Sequence, residues 1–382
     1  MPVITNVEDL RLLAKRRVPR MFYDYADAGS WTESTYRANE NDFQRLKFRQ
    51  RVAVDIEHRS TASRMIDHPV TMPVAIAPTG MAGMHHPNGE ILAALAAKKF
   101  GVMYTLSTMS TCSLEDIAEH TKGHPFWFQL YVLRDRDFVE RLIARAQAAG
   151  CSALVITLDL QVMGQRHKDL KNGTSVPPKP TLTNIINLLS KPRWCLGMLG
   201  TNRRSFGNVV GHVKGVENMG AIATWTAQQF DPRLNWTDIE WIKRRWGGKI
   251  ILKGIMDAED ARLAVESGAD ALIVSNHGGR QLDGAESSIR ALPAIVEAVG
   301  KQIEVHFDGG IRSGQDVLKA LALGAKGTYI GRPMLYGLGA LGEAGVTRAL
   351  EIIRHELDLT MAFCGKTNLQ QIDPSILLAE RR

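Results

Sequence analysis

Eight short apolar runs punctuate the chain from Pro73 onward. They centre near Ile76, Tyr104, Gln129, Ile156, Ile251, Ile273, Val305 and Thr328. Short, near-continuous apolar runs of this kind read as strands buried on both faces. Stretches with helical periodicity lie between them, at 89–100, 137–149, 258–266 and 314–323 among others. The gaps between strand centres are 28, 25, 27, 95, 22, 32 and 23 residues. All but one match a βα unit of roughly 30 residues. Strands alternating with helices predict a parallel α/β sheet, and closure into a (β/α)8 TIM barrel is its simplest arrangement.

The 95-residue gap predicts an insertion over 165–235, after the fourth strand. From Leu170 to Val216 it carries Lys171, Lys179, Lys191, Arg193, Arg203, Arg204 and Lys214, with no Asp or Glu. Embedded there are Ile185-Ile186-Asn187-Leu188-Leu189, then Trp194 and Leu196-Gly197-Met198-Leu199. Basic charge beside exposed-looking apolar residues suits an anionic membrane surface. The same features suit an active-site lid with a solvated basic face. Residues 1–65 read as an N-terminal helical extension. Asn6 can cap a helix running through Leu10 to Arg17, and Phe22-Tyr23-Asp24-Tyr25 follows. The whole of 1–382 then forms a single domain.

Composition narrows the class. A 45% hydrophobic, 23% charged chain of 382 residues has the balance of a soluble globular enzyme. The net charge of +7 comes without a dense basic stripe interleaved with aromatics, which argues against nucleic acid. Cys112, Cys151, Cys195 and Cys364 form no CxxC pair, so zinc and disulfide frameworks are unsupported and a reducing cytosol fits. Glu8 and Asp9 near the start argue against a signal peptide. No apolar run approaches the roughly 20 residues of a spanning helix. The expected location is cytoplasmic, peripheral on the inner face of the plasma membrane if the insertion binds lipid.

In such a barrel, chemistry sits at the C-terminal ends of the strands. Those ends carry Pro78-Thr79-Gly80, Ser107-Thr108-Met109, Gln129 with Tyr131, and Thr157-Leu158-Asp159 with Arg166 shortly after. Then come Lys253, the turn Ser275-Asn276-His277-Gly278-Gly279-Arg280, Asp308-Gly309-Gly310-Ile311-Arg312, and Gly331-Arg332. His277 and Arg280 suit a small 2-hydroxy acid. The guanidinium fork takes a carboxylate bidentately, and the imidazole takes a proton from the adjacent hydroxyl. Standing alone, an HxxR is more often a packing His and a solvated Arg. Gly-Arg elements at two successive strand ends predict a phosphate site. No GxGxxG follows the first strand, which disfavours a Rossmann nicotinamide site and leaves a mononucleotide such as FMN. Lys253 would then stabilise the reduced flavin beside its N1–C2 carbonyl. Otherwise it is a barrel-lumen ion pair.

SNHGGRQLDG, WFQLYVLRDR, LKGI, FDGGIRSG, LGAKGTYIGRP and the early YDYADAG occur in order over almost the whole chain. Together they resemble the FMN-dependent 2-hydroxy-acid oxidising family, with WFQLYVLRDR and the basic segment most similar to its bacterial respiratory L-lactate dehydrogenase branch. The resemblance implies that His277 removes a proton while Asp159 orients and stabilises the imidazolium. Arg166 and Arg280 would hold the substrate carboxylate with help from Tyr25. Tyr131 would bond the substrate hydroxyl or carboxylate. Pro78, Thr79, Gly80, Ser107, Gln129, Thr157, Lys253, Ser275, Asp308, Gly310, Arg312, Gly331 and Arg332 would hold FMN. The implied reaction oxidises an L-2-hydroxy acid, first of all L-lactate to pyruvate, by hydride transfer or through a carbanion, and passes electrons to a quinone or cytochrome. An oxygen-reducing oxidase and a mandelate-type dehydrogenase remain alternatives, and the family habit implies a homotetramer.

Gly80 stands where glycolate oxidases carry Ala, as in mandelate dehydrogenases, and Met109 where they carry Trp. Both make room for a side chain longer than methyl, or are neutral variation in a lactate enzyme. Two rival classes are an FMN-barrel isomerase, which has no need of Arg166, Arg280 and Tyr25 around a carboxylate, and a hydroxy-acid sensor, which has no need of a base.

Overall fold

The computed structural model describes residues 3–173, 181–213, 224–225 and 228–378. In chain order the strands are β1 (Ser63–Met65), β2 (His68–Val70), β3 (Val74–Ile76), β4 (Met103–Ser107), β5 (Trp127–Tyr131), β6 (Ala153–Thr157), β7 (Lys249–Ile255), β8 (Ala271–Val274), β9 (Glu304–Asp308) and β10 (Gly327–Ile330). The strands β3 to β10 pair in parallel around a closed barrel, with β10 returning to β3. The fold is the expected TIM barrel, and every predicted strand centre falls within one of its strands. The helices Gly89–Phe100 and Ala258–Glu266 have the predicted bounds. Two others, Arg136–Ala148 and Gly314–Ala322, differ from them by one residue.

Strand alternation divides the core in two. On β6, Leu154 and Ile156 pack outward against the helices. Ala153 and Val155 point into the lumen, with Met103, Trp127, Ile251, Ile273 and Tyr329. The antiparallel hairpin β1–β2 sends Met65, Ile66 and Val70 into the same inner cluster and so plugs one end of the barrel. A Cβ on Gly327 would lie 2.4 Å from Met65 Cε, so glycine there makes room for the plug. The hairpin straddles the boundary drawn at residue 65, and strands of three residues are too short for alternation to register.

The helix Val7–Arg17 starts at a reciprocal cap: Asp9 N–H donates to Asn6 Oδ1 (2.8 Å), and Asn6 N–H to the Asp9 carboxylate (3.3 Å). The insertion contains the helices Leu182–Leu189 and Pro192–Leu199. Arg20 N–H donates to Asn187 Oδ1 (2.7 Å), which ties the first of them to the N-terminal extension. Leu182 is exposed, and of the apolar residues expected at its surface so are Ile185, Ile186, Leu189, Leu196 and Leu199. Trp194 and Met198 are not. Trp194 donates to Met84 O (2.8 Å) and stacks on Phe22, while Met198 is buried. Lys179 and Lys214 lie outside the described residues. The returning chain is fastened to the end of β5, where Arg134 N–H donates to Gln229 O (2.8 Å) and Arg136 pairs with Asp231 (3.1 Å). Among the described residues no helix is long and apolar enough to cross a membrane. All four cysteines are free thiols.

Candidate active site

A cavity of about 380 Å³ opens at the C-terminal end of the barrel. Its size is that of a small-molecule site. Of the residues singled out in the sequence, Tyr25, Pro78, Thr79, Gly80, Ser107, Tyr131, Arg166, Lys253, His277, Arg280, Asp308, Gly310, Arg312, Gly331 and Arg332 line it. Asp159, Gln129, Thr157 and Ser275 are not on its wall. The last three are buried, and Asp159 reaches the cavity wall only by its bond to His277.

The turn after β8 is held rigidly. Asn276 exchanges side-chain amide bonds with Asn39, at 2.8 Å each way, and accepts from Gly279 N–H (3.0 Å). His277 sits in the left-handed region at φ 59°, a conformation uncommon for a non-glycine residue and frequent at functional sites. Its Nδ1 lies 2.9 Å from Asp159 Oδ1. A carboxylate partner assigns the proton to Nδ1 and leaves Nε2 with its lone pair, as a base requires. Burial pushes the imidazole below its ordinary pKa, and Asp159 pulls it back part of the way. The Asp159 carboxyl is itself raised by burial, but the His277 and Lys253 charges outweigh that and hold it below its ordinary range.

Ser275 is a hub behind this turn. Its hydroxyl accepts from Lys253 Nζ (2.8 Å) and His277 N–H (3.1 Å), and donates to Asp308 (2.7 Å). Lys253 also pairs with Asp308 at 3.1 Å. Lys253 is thus in a lumen ion pair, and it also faces the cavity.

Two guanidiniums flank the Tyr25 ring, Arg280 at 4.6 Å and Arg166 at 5.5 Å from its centroid. Burial, followed by the like charge of Arg166, brings the Arg280 guanidinium down to about 10. Two cations sharing one ring relieve their repulsion by taking an anion between them, and a carboxylate fits that fork. Arg166 also pairs with Asp169 at 2.8 Å. Asp169 lines the cavity and was missed, although it follows Arg166 by one helical turn. Met21, Phe22, Phe206 and Phe230 were missed as well; they give the mouth an apolar wall.

Opposite lies the glycine–arginine cradle. Gly309 and Gly310 have φ 119° and 84°. A Cβ on Gly310 would fall 1.9 Å from Asn39 O, so only glycine fits. Arg332 opens the helix Arg332–Leu341, whose N-terminus favours an anion. Here the structure adds to the sequence reading. Arg312 pairs with Glu40 (2.8 Å), and Arg332 donates to Ala26 O (2.9 Å) and Ala28 O (2.8 Å). Both arginines therefore also fasten the N-terminal extension. Gln129 completes the fit to a flavin mononucleotide. Its oxygen accepts from Ser107 Oγ (3.1 Å) and Thr108 N–H (3.3 Å), while its Nε2 is buried without a partner, a donor suited to a flavin carbonyl.

Such a rim brings a phosphate-bearing redox group up against a base and a carboxylate site, which defines a flavin oxidoreductase barrel. Comparison with known proteins agrees. The chain is 42% identical over 378 residues to an L-lactate dehydrogenase of Pseudomonas syringae pv. syringae, covering 98% of this chain and 99% of that one. It is 44% identical over 381 residues to an L-lactate dehydrogenase of Caulobacter sp. (strain K31), covering 98% of each. Among solved structures it is similar to the monotopic membrane protein (S)-mandelate dehydrogenase, at 36% identity and TM-score 0.94 over 99% of this chain and 100% of that one. A soluble mutant of the membrane-associated (S)-mandelate dehydrogenase from Pseudomonas putida gives 0.84 at the same identity and coverage. Residues 14–379 match the FMN-dependent dehydrogenases, and the chain belongs to that family, with FMN as its cofactor.

Proposed function

We propose that this protein oxidises an L-2-hydroxy acid, L-lactate foremost, to the corresponding 2-keto acid, and passes the electrons to a quinone or cytochrome. The observation that carries this reading is the His277–Asp159 pair and the Arg166–Arg280 fork opening on one cavity with the phosphate cradle. FMN, when bound, takes up the two electrons that leave the substrate's α-carbon. Arg166 and Arg280 grip the substrate carboxylate across Tyr25, and Tyr131 bonds the hydroxyl or carboxylate. The hydroxyl proton moves to His277 Nε2, and Asp159 stabilises the imidazolium. Gly310, Gly331, Arg312 and Arg332 hold the phosphate. Pro78, Thr79, Gly80, Ser107, Gln129, Thr157, Lys253, Ser275 and Asp308 hold the ring and its chain.

The test is reduction of the purified enzyme by L-lactate without oxygen, followed by air. Bleaching that persists in air for many seconds supports a dehydrogenase. Immediate recolouring with hydrogen peroxide would make it an oxidase, and no bleaching by any 2-hydroxy acid would overturn the reading.

A mandelate-type preference is the second reading. A Cβ at Gly80 would lie 3.2 Å from Met109 O and 3.3 Å from Met109 Cβ, so the glycine keeps that part of the cavity wall open. Phe22, Phe206 and Phe230 add an apolar surface for a larger substituent. Comparing kcat/KM for L-lactate, glycolate, L-2-hydroxybutyrate and L-mandelate decides between the two.

Peripheral attachment to an anionic membrane, at the inner face of the plasma membrane, is proposed for the insertion. Its support is the exposed leucines and isoleucines of the two insertion helices. Similarity to the monotopic membrane protein (S)-mandelate dehydrogenase agrees with it. A homo-oligomer, which light scattering would detect, completes the proposal.

A further inference from the structure

The lumen of this barrel is mostly apolar, with Met103, Val155, Ile251 and Ile273 among its filling. Strand β9 departs from that pattern. Its Val305 and Phe307 join the helix-facing core, so alternation turns Glu304, His306 and Asp308 inward. These three form a ladder along one strand. Asp308 is at the cavity wall, and the Glu304 side chain is 37% exposed at the other end. His306 lies between them, with no solvent exposure.

His306 is bound on both sides. Its Nε2 is 3.0 Å from Glu304 Oε2, and its Nδ1 is 3.3 Å from the Tyr329 hydroxyl on β10. Tyr329 pairs in register with Asp308 and itself lines the cavity. The ring is satisfied in either charge state. Neutral, it donates from Nε2 to the carboxylate and accepts from the phenol. Charged, it donates from both nitrogens, because the phenol oxygen can accept once its hydroxyl turns away. Burial pushes the Glu304 carboxyl up, but the adjoining imidazole outweighs this, so it lies below its ordinary range and is an anion at neutral pH. Burial holds the Tyr329 phenol well above its ordinary value, so it stays protonated.

Charge accounting at the cavity gives this pair a task. Reduction of the bound cofactor adds negative charge there. Of the cations on the cavity wall, Lys253 is paired with Asp308, Arg166 with Asp169 and Arg312 with Glu40, while Arg280 and Arg332 are engaged by backbone carbonyls. The other lumen neighbours of His306 carry no positive charge: β8 sets Ile273 beside it and β10 sets Gly327. Lys326 acts on Glu304 from outside.

We propose that His306, held between Glu304 and Tyr329, is a redox-linked protonation site. The Glu304–His306 pair takes up one proton from water when the flavin is reduced and releases it on reoxidation. Only an N–H bond forms and breaks, and the neutral ring with its carboxylate becomes an imidazolium–carboxylate pair. The electrons follow the established course through FMN. His306 lies two strand residues, roughly 7 Å, below the cavity wall.

The proposal requires FMN binding but not the hydroxy-acid reading, because dithionite can serve as reductant. Failure of lactate to bleach the flavin would leave this test intact. The measurement is the flavin midpoint potential of the holoenzyme against pH, with ¹⁵N-histidine NMR of oxidised and dithionite-reduced protein. Wild type is expected to show a pH range in which the potential falls by an additional increment of about 30 mV per unit, the signature of one extra proton per two electrons. The His306 ring signal should change from neutral to imidazolium on reduction. His306→Gln should lose the additional slope and keep its FMN content. Glu304→Gln, a change at the exposed end of the ladder, should leave His306 neutral in both states. Unchanged slopes in these variants, or a wild-type His306 signal that does not move on reduction, would overturn the proposal. If neither variant folds, the wild-type NMR comparison decides alone.

Discussion

Replacing Asp159 by Asn tests the centre of the mechanism. The imidazolium formed on His277 has one stabilising neighbour, Asp159 at 2.9 Å. Lys253 and Arg280 both oppose it, and burial opposes it further. Asn preserves the shape and can still accept from Nδ1–H, so the substitution removes charge and little else. Gln281 Nε2 holds the residue-159 backbone carbonyl at 2.8 Å, which keeps the position fixed. A hydrogen bond to a charged group contributes about 1.5–3 kcal/mol, and one pKa unit corresponds to about 1.4 kcal/mol. The His277 pKa should therefore fall by roughly one to two units from its already lowered value. If the transition state carries most of the imidazolium charge, flavin reduction should slow about 10- to 100-fold. Stopped-flow bleaching by L-lactate from pH 5.5 to 9 measures both quantities. The plateau should drop, and the acid limb should move to lower pH, because a weaker base is deprotonated earlier. A variant reducing its flavin within threefold of wild type, with an unmoved limb, would refute the role assigned to this pair.

Other sites give independent tests. Gly310→Ala forces a Cβ to 1.9 Å from Asn39 O at a positive φ; the φ alone costs about 1–2 kcal/mol, so denaturant unfolding should show a larger loss and absorbance a large deficit of bound FMN. Ile186→Asp with Leu189→Asp changes two exposed residues, each worth about 1.5–3 kcal/mol when buried in lipid; co-sedimentation with phosphatidylserine vesicles should weaken at least ~100-fold while bleaching by lactate in solution is unchanged. Burial brings the His85 ring down to about 4. Between about pH 6.5 and 4 the unfolded chain binds a proton that the folded chain refuses, so stability falls as pH drops through that window. His85→Leu should remove up to about 3 kcal/mol of that fall, read as a flatter dependence of Tm on pH.

The barrel was legible because its strands are buried on both faces and recur at a nearly constant interval. One of its moved boundaries is set by a side chain. Asp135 accepts from Phe138 N–H, which starts that helix at Arg136 rather than one residue later. The β1–β2 hairpin was invisible because its three-residue strands are defined by the lumen they fill. Strand-end site residues could be found because a barrel brings its strand ends together wherever the helices lie. Phe206, Phe230 and Phe22 could not, since their placement depends on long-range fastening such as the Leu133–Phe230 bridge and the Phe22–Trp194 stack. The Glu304-Val305-His306-Phe307-Asp308 alternation was present in the sequence, but as part of an apolar run it read only as a strand.

The arginines show why site and scaffold cannot be separated here. Arg280 donates to Tyr25 O and Ala28 O, and Arg332 to Ala26 O and Ala28 O. Residues proposed for the substrate carboxylate and for the cofactor phosphate thus converge on three residues of the N-terminal extension, Tyr25, Ala26 and Ala28, where Tyr25 itself forms part of the cavity wall. An anion arriving at either arginine must share it with these carbonyls or displace them. Binding at one end of the cavity therefore bears on the segment that closes the other. A coupling of this kind needs no separate lid. It follows from guanidiniums that have more donors than any one ligand can use.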